Sequence, residues 1–415
     1  MKHDPQAQRA FASEVVCRLR AAGHEALWAG GCVRDQLLGR IPKDYDVATS
    51  AEPDAIRRLF GHNRSLPIGA AFGVITVLGP KPAGQIEVAT FRQDFEYTDG
   101  RRPGRINFSS AREDAQRRDF TINGLFYDPL ANEVIDYVGG RQDLEDHLIR
   151  AIGDPVERFT EDKLRVLRAV RFSATFAFSI EPATWDAVCA MHDAVGVVSA
   201  ERIAAEMRRL LVEQHREQGL QLLHASRLWE AIVPPPLKHP AENAWAEAVE
   251  VCDYLETPTF PTAAAALVAP LADKNAALQL CRQWKLSNAE SDRIAWLLDH
   301  AHVLDQAAHM PWPALQPIVI HEAIEELLTW GDARAAARLA DRAHLEYCRE
   351  QLARPAEQLD PAPLVDGADL KACGIRPGPM LGQLLATIRT KQLAGELSSR
   401  DEALRFVRAS AGQVE

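Results

Sequence analysis

Strand-like patterning in this 415-residue chain is confined to its first 150 residues or so, and helical periodicity runs from about Phe159 to the end. That division constrains the fold more than any other feature. Residues 26–29 read as a strand, followed by Gly30-Gly31 and a helix over about 33–38. A second strand is expected over 44–48, then a helix over 52–60 with Ser50 as its N-cap. Two β-branched runs, 73–78 and 85–92, flank the turn-forming Gly79-Pro80-Lys81-Pro82, and 134–137 reads as one more short strand. The order predicts an α+β head, a small mixed sheet with helices, followed by an all-α remainder. The length exceeds what one hydrophobic core supports and implies two to four domains. Pro234-Pro235-Pro236 and the Ala- and Pro-rich stretch 352–363 are the expected linkers.

Composition narrows the class. Apolar residues make up 47% and charged residues 25%, the balance of a folded globular chain. The polar start, MKHDPQAQRAF, lacks the apolar core of a signal peptide. The most apolar stretch, 261–272, is Ala-rich, broken by prolines and too short to span a bilayer, so no membrane role is expected. Seven cysteines without a C-x-x-C pair suit reduced thiols and a cytoplasmic location. The net charge of −11 argues against a nucleic-acid partner, yet arginines crowd three segments, 92–118, 158–171 and 202–216. Any one of these runs, taken alone, reads as a solvated helix face.

Four motifs carry chemistry. Gly30-Gly31-Cys32-Val33-Arg34-Asp35 lies where a strand turns into a helix; two glycines there let backbone approach a phosphate, and Arg34 adds a full charge. Ten residues on, Lys43-Asp44-Tyr45-Asp46 places Asp44 and Asp46 on one strand face, where two carboxylates suit a hard divalent cation. Glu87, between Ile86 and Val88, points away from them; it is either a third carboxylate for that site or a solvated strand residue. Arg117-Arg118-Asp119-Phe120-Thr121-Ile122-Asn123-Gly124 gathers cations, an aromatic and an amide suited to triphosphate, base and ribose. In Glu161-Asp162-Lys163-Leu164-Arg165, continued to Arg168, Arg171 and Phe172, a helical wheel buries Val166, Leu167 and Val170. It makes Asp162 and Arg165 neighbours at i, i+3, an acceptor beside a donor that matches a Watson–Crick edge. Arg171 falls nearly opposite Asp162 on such a wheel.

The ordered set GGCVRD, KDYDVATS, IEVATFR, RRDFTING and ERFTEDKLRVLRAVRF resembles the class II tRNA nucleotidyltransferase and bacterial poly(A) polymerase family over residues 25 to 175. A fainter likeness returns from Gly367 to Gly395 and looks like the C-terminal helical segment of such enzymes. The resemblance implies a nucleotidyltransferase-type head over 1–150, a base-reading helical neck over 151–215, a helical body over 216–355 and an RNA-gripping tail over 356–415. By motif match, Asp44 and Asp46 would bind Mg2+, with Glu87 a further catalytic candidate. Gly31, Arg34, Arg118 and Asn123 would contact triphosphate or ribose. Asp162 and Arg165 would pair with the edge of CTP or ATP, and Arg168 and Arg171 would complete the site. The implied reaction adds CCA to a tRNA 3′ end with release of pyrophosphate. Poly(A) tailing, A-only addition and an inactive RNA-binding relative are the alternatives. The segment 92–103 resembles the mobile loop of relatives that switch from C to A, and 67–73 lacks the basic pair that poly(A) polymerases tend to show. Two departures stand out. Gly124 replaces the family's usual Ala, and no His-Asp pair marks an HD-type metal centre in the body, which is expected to be a degenerate HD-like scaffold.

Overall fold

Seven short strands form one mixed sheet in the first half of the chain. The computed structural model describes residues 4–97 and 103–411. The strands are β1 (Ala26–Ala29), β2 (Asp46–Thr49), β3 (Ser65–Leu66), β4 (Val74–Leu78) and β5 (Gln85–Thr90). β6 (Arg92–Tyr97) and β7 (Pro103–Phe108) pair with each other in a separate antiparallel ribbon. β8 (Phe126–Asp128) and β9 (Glu133–Ile135) complete the sheet, in the order β3-β4-β5-β2-β1-β8-β9. Within this sheet, among the described residues, only β2 and β5 run parallel, and their register sets Asp46 directly beside Glu87. The tip of the loop expected at 92–103, residues 98–102, lies outside the described residues.

The central strands are buried on both faces. All four residues of β1 are buried, which is why they read as an unbroken apolar run and not as an alternation. On one side Leu27, Ala29, Ala48, Phe91 and Phe126 form a core with Ala111 and Ala115 of the helix Ala111–Gln116. The other side is covered by α1 (Pro5–Ala21), which buries Phe11, Val15, Val16 and Leu19. Asp4 caps α1 by accepting the Gln6 N–H at 3.0 Å, and Pro5 opens its first turn. The polar opening residues hid this helix, and β8 also went unread.

Two expected boundaries move. β2 begins at Asp46, so Asp44 lies just ahead of the ladder. After α2 (Gly31–Leu37), the next helix, α3 (Pro53–Phe60), has Glu52 and not Ser50 at its N-cap position. Ser50 Oγ instead accepts the Glu25 N–H at 2.9 Å, closing the loop before β1. Pro53 at the first helical position fixes where α3 starts.

Helices then predominate: α4 (Ala111–Gln116), α5 (Gly140–Glu145), α6 (Pro155–Glu161), α7 (Leu164–Phe176), α8 (Pro182–Ala190), α9 (Ala200–Val212), α10 (Arg216–Ala225) and α11 (Leu228–Ile232). Strand pairing does not vanish there, because β10 (Leu148–Ile149) pairs in parallel with β11 (Ser179–Ile180). α7 packs against α9 and α10 and buries Val166, Leu167 and Val170 completely.

The chain divides into two units at Val233 and Pro234, the first of the three consecutive prolines. Within the second unit the apolar stretch expected too short for a membrane is the helix Phe260–Val268, buried along its length against Glu242–Asp253 and Asn288–His300. No helix among the described residues is long and apolar enough to cross a membrane. The last helices, Gly367–Ala372, Pro379–Leu393 and Arg400–Ala411, share a small core of Val365, Leu370, Ile375, Leu384, Ile388, Ala403 and Val407. Among the described residues no three His, Cys, Asp or Glu side chains converge on a common metal position.

Candidate active site

Tyr45 organises the carboxylates. Its ring is buried edge-on to Trp28, with centroids 4.8 Å apart, which anchors the segment between the two aspartates. Asp44 and Asp46 both lie exposed. Surrounding protein nevertheless crowds Asp46, and this burial is the main cause that pushes its carboxyl up to about 6. The Glu87 carboxylate beside it and then Asp44 add to the rise, while Arg118 opposes it. Such crowding of like charge is relieved by a cation. Two carboxylates with open space beside them suit magnesium, which takes oxygen ligands and keeps room for water and substrate phosphates.

The turn from β1 into α2 faces the same space. Gly30 adopts φ 71°, and a Cβ there would come within 2.7 Å of Arg118 Nη1. A side chain would therefore both strain the turn and displace a guanidinium. Arg34 donates from Nε and Nη2 to Asp35 Oδ1 at 2.9 and 2.7 Å, and from Nη1 to Asn123 Oδ1 at 2.5 Å. Asn123 Nδ2 donates onward to Asp119 Oδ1 at 2.9 Å. Arg168 donates to Asp119 Oδ2 from Nε at 2.9 Å and Nη2 at 2.7 Å, and to Glu206 Oε1 from Nη1 at 3.2 Å. Arg171 Nε donates to the other Glu206 oxygen. Burial alone would raise the Asp119 carboxyl, but Arg168, Asn123 and Arg165 outweigh it and hold it well below the usual carboxylate range. Burial lowers Arg171 to about 10, partly offset by Glu206, so it remains charged at neutral pH. Arg117 and Arg118 share the buried Asp114, at 2.7 and 3.0 Å.

The neck departs from the helical-wheel expectation. α6 ends at Glu161; Asp162 is extended, at φ −141° and ψ 102°, and α7 starts at Leu164. Asp162 Oδ1 accepts the Leu164 N–H at 3.2 Å, a local bond that competes with helix continuation. Asp162 and Arg165 are thus not stacked on one helix. Asp162 Oδ2 accepts from Arg202 Nη2 at 2.6 Å. Arg165 donates to Glu161 at 2.8 Å and to the carbonyls of Arg158 and Arg117, both at 3.0 Å. Arg171, expected opposite Asp162, reaches the same space because Asp162 does not belong to α7.

These groups meet in one cleft of about 550 Å³. Its walls include Gly31, Arg34, Asp46, Arg118, Asn123, Asp162, Arg165, Arg168 and Arg171; Asp44 and Glu87 fall outside the lining. Gly30 of the phosphate turn lines it too, as do Phe172, Arg202 and Arg209, to which sequence reasoning gave no role. The last two were legible in principle, since a spacing of seven puts both on one face of α9. Gly124 caps a single 3-10 turn, Thr121–Asn123, and is not a helix residue. A Cβ there would meet Val138 Cγ2 at 2.6 Å and Ile152 Cδ1 at 3.2 Å, so larger neighbours occupy the space an alanine would need. Cys32, in the first turn of α2, is buried and its thiol pushed up to about 12, which removes it as a nucleophile.

Three family models match in succession: the Poly A polymerase head domain over residues 26–150, an RNA and SrmB- binding site of polymerase A over 177–237, and tRNA nucleotidyltransferase domain 2 over 261–407. The CCA-adding enzyme of Lactobacillus helveticus is 32% identical over 400 residues, 95% of either chain. That of Levilactobacillus brevis is 33% identical over 406 residues, 97% of this chain and 98% of its own. The crystal structure of the Bacillus stearothermophilus CCA-adding enzyme in complex with CTP matches with a TM-score of 0.77 at 26% identity, covering 97% of each chain. Identity sustained over nearly the whole length, on a chain whose cleft joins a crowded aspartate to a wall of arginines, makes this protein a member of the CCA-adding enzyme family, the class II tRNA nucleotidyltransferases.

Proposed function

We propose that the protein adds CCA to tRNA 3′ ends in the cytoplasm, taking CTP and ATP as donors and releasing pyrophosphate. One observation carries the reading: Asp46 and the pair Asp162–Arg165 line the same cleft, so a nucleotide read at one end reacts at the other. Cytosine and adenine both present an amino group where uracil and guanine present a carbonyl oxygen. A carboxylate acceptor at Asp162 beside a guanidinium donor at Arg165 suits the first pair and opposes the second. Arg202, Glu161 and two carbonyls set the direction of both groups before a base arrives. Gly31, Arg34 and Arg118 take the triphosphate, Asn123 the ribose, and Arg168 and Arg171 close the remaining side. Asp44 and Asp46 fit magnesium, which when bound would neutralise the phosphates and lower the pKa of the attacking 3′-hydroxyl. Seven free cysteines suit a reducing cytoplasm.

The test is direct. tRNAs lacking C, CC or CCA are incubated with labelled CTP and ATP, with magnesium and then with a chelator, and the products sequenced. Each acceptor should be completed to CCA and no further, and chelation should stop addition until magnesium is restored. Runs of A, or extension only of tRNA already ending in CC, would replace this reading with poly(A) tailing or A-only addition.

A further inference from the structure

Phe172 of α7 lies almost wholly buried in the cleft wall, at 4% exposure, and three guanidinium groups sit over its ring. Their central carbons are 3.8 Å (Arg171), 5.1 Å (Arg168) and 5.4 Å (Arg34) from its centroid. One turn on, Phe176 stacks on Phe172 at 5.9 Å and 11°, and takes Arg34 at 4.6 Å and Arg40 at 5.0 Å. Phe120 meets Phe172 edge-on at 5.6 Å, which fixes the orientation of the ring. Arg34 belongs to the head and Arg168 and Arg171 to α7, so the two rings are where head cations and neck cations share a surface. Among the described residues, three carboxylates serve these three arginines: Asp35 for Arg34, Asp119 for Arg168, and Glu206 for Arg168 and Arg171. An aromatic face attracts each guanidinium through its quadrupole without neutralising it. The ring thus orients the three guanidinium groups without adding to the three carboxylates that already balance them.

We infer that Phe172 is a positioning residue for nucleotide binding: its π face, continued by Phe176, holds Arg34 of the head in register with Arg168 and Arg171 of the neck. This rests on the nucleotide-binding reading of the cleft. The ring contributes electrostatics that an aliphatic side chain of similar bulk lacks, and that separates positioning from packing.

The test replaces Phe172 in the full chain with mono-, di- and trifluorophenylalanine, which drain the quadrupole at nearly constant shape, and with leucine (Phe172→Leu). Equilibrium CTP binding, the KM and kcat of C and A addition, and the melting temperature are measured. KM and the CTP dissociation constant should rise stepwise with each fluorine, to about tenfold for the trifluoro ring, while kcat and melting temperature hold. Phe172→Leu should match or exceed the trifluoro chain. Unchanged KM and binding across the fluorinated series, with only the leucine chain impaired, would overturn the inference and leave Phe172 a packing residue. If the parent adds no CCA yet CTP binding weakens stepwise, the positioning role stands and the activity reading fails.

Discussion

Burial, Glu87 and then Asp44 raise the Asp46 carboxyl to about 6, a crowding of charge that the proposed magnesium would relieve. Asp44→Ala or Asp46→Ala should therefore abolish both C and A incorporation, because one position serves every round; retention of either nucleotide alone would sink the shared site. The residues proposed to read the base should behave differently. Losing a buried hydrogen-bonding partner costs about 1–3 kcal/mol, one to two powers of ten in discrimination. Arg165→Ala should admit UTP and GTP, whereas Arg34→Ala should weaken all four nucleotides alike, since phosphate contacts carry no base information. A common factor for all four in Arg165→Ala would make it a structural residue. Asp119 supplies a pH test. Its carboxyl sits below the unfolded value of about 3.9, so its stabilisation is present above that pH and fades as pH falls further. Asp119→Asn should cost roughly 3 kcal/mol at pH 7 in urea denaturation, with the deficit shrinking below about pH 4. Residue types were the most legible part of the cleft: Arg34, Asp46, Arg118, Asp162, Arg165, Arg168 and Arg171 could be named from motif order, whereas Arg202 and Arg209 could not. The crowding at Gly124 could not, because Val138 and Ile152, which fill its space, are remote in the chain.

Elements were legible where patterning is local. β1 matches its expected bounds because a short apolar run ends at two glycines. The parallel pairing of β2 with β5 was not, since nothing between them in sequence announces which strands become neighbours. The break between α6 and α7 shows a second failure. A helical wheel assumes an unbroken helix, and Asp162 breaks it with a bond to its own backbone two residues on. α9 was read only as a basic run, although its buried Glu206 anchors two arginines of α7. Removing that carboxylate leaves Arg171 buried without its ion-pair partner, so Glu206→Ala should destabilise the fold by about 3–5 kcal/mol. Glu206→Gln, which keeps an acceptor, should cost less. Urea midpoints of the two variants would show this; equal losses would mean that shape and not charge is what α9 supplies.

At the scale of the whole molecule, every lining residue of the cleft precedes the break at Val233. A chain ending at Val233 should fold and bind CTP and ATP within a few-fold of the full protein while losing most of its tRNA affinity. Calorimetric titration of both chains with each ligand would check it, and loss of CTP binding in the short chain would show that the cleft depends on the second unit. The net charge, which argued against a nucleic-acid partner, misled because it averages over opposites. Eight arginines and three aspartates line the cleft, a surplus of five, so in a chain of net charge −11 the remainder sums to −16. For a polyanion this is a shoreline with few harbours. The rest of the chain is therefore acidic on average, and RNA is drawn to it only where cations gather, as they do in the cleft and again between Arg376 and Arg408. An acidic average punctuated by basic clusters should favour RNA that meets several of them at once over RNA that meets one, leaving the protein little occupied by the far larger pool of RNA that needs no repair.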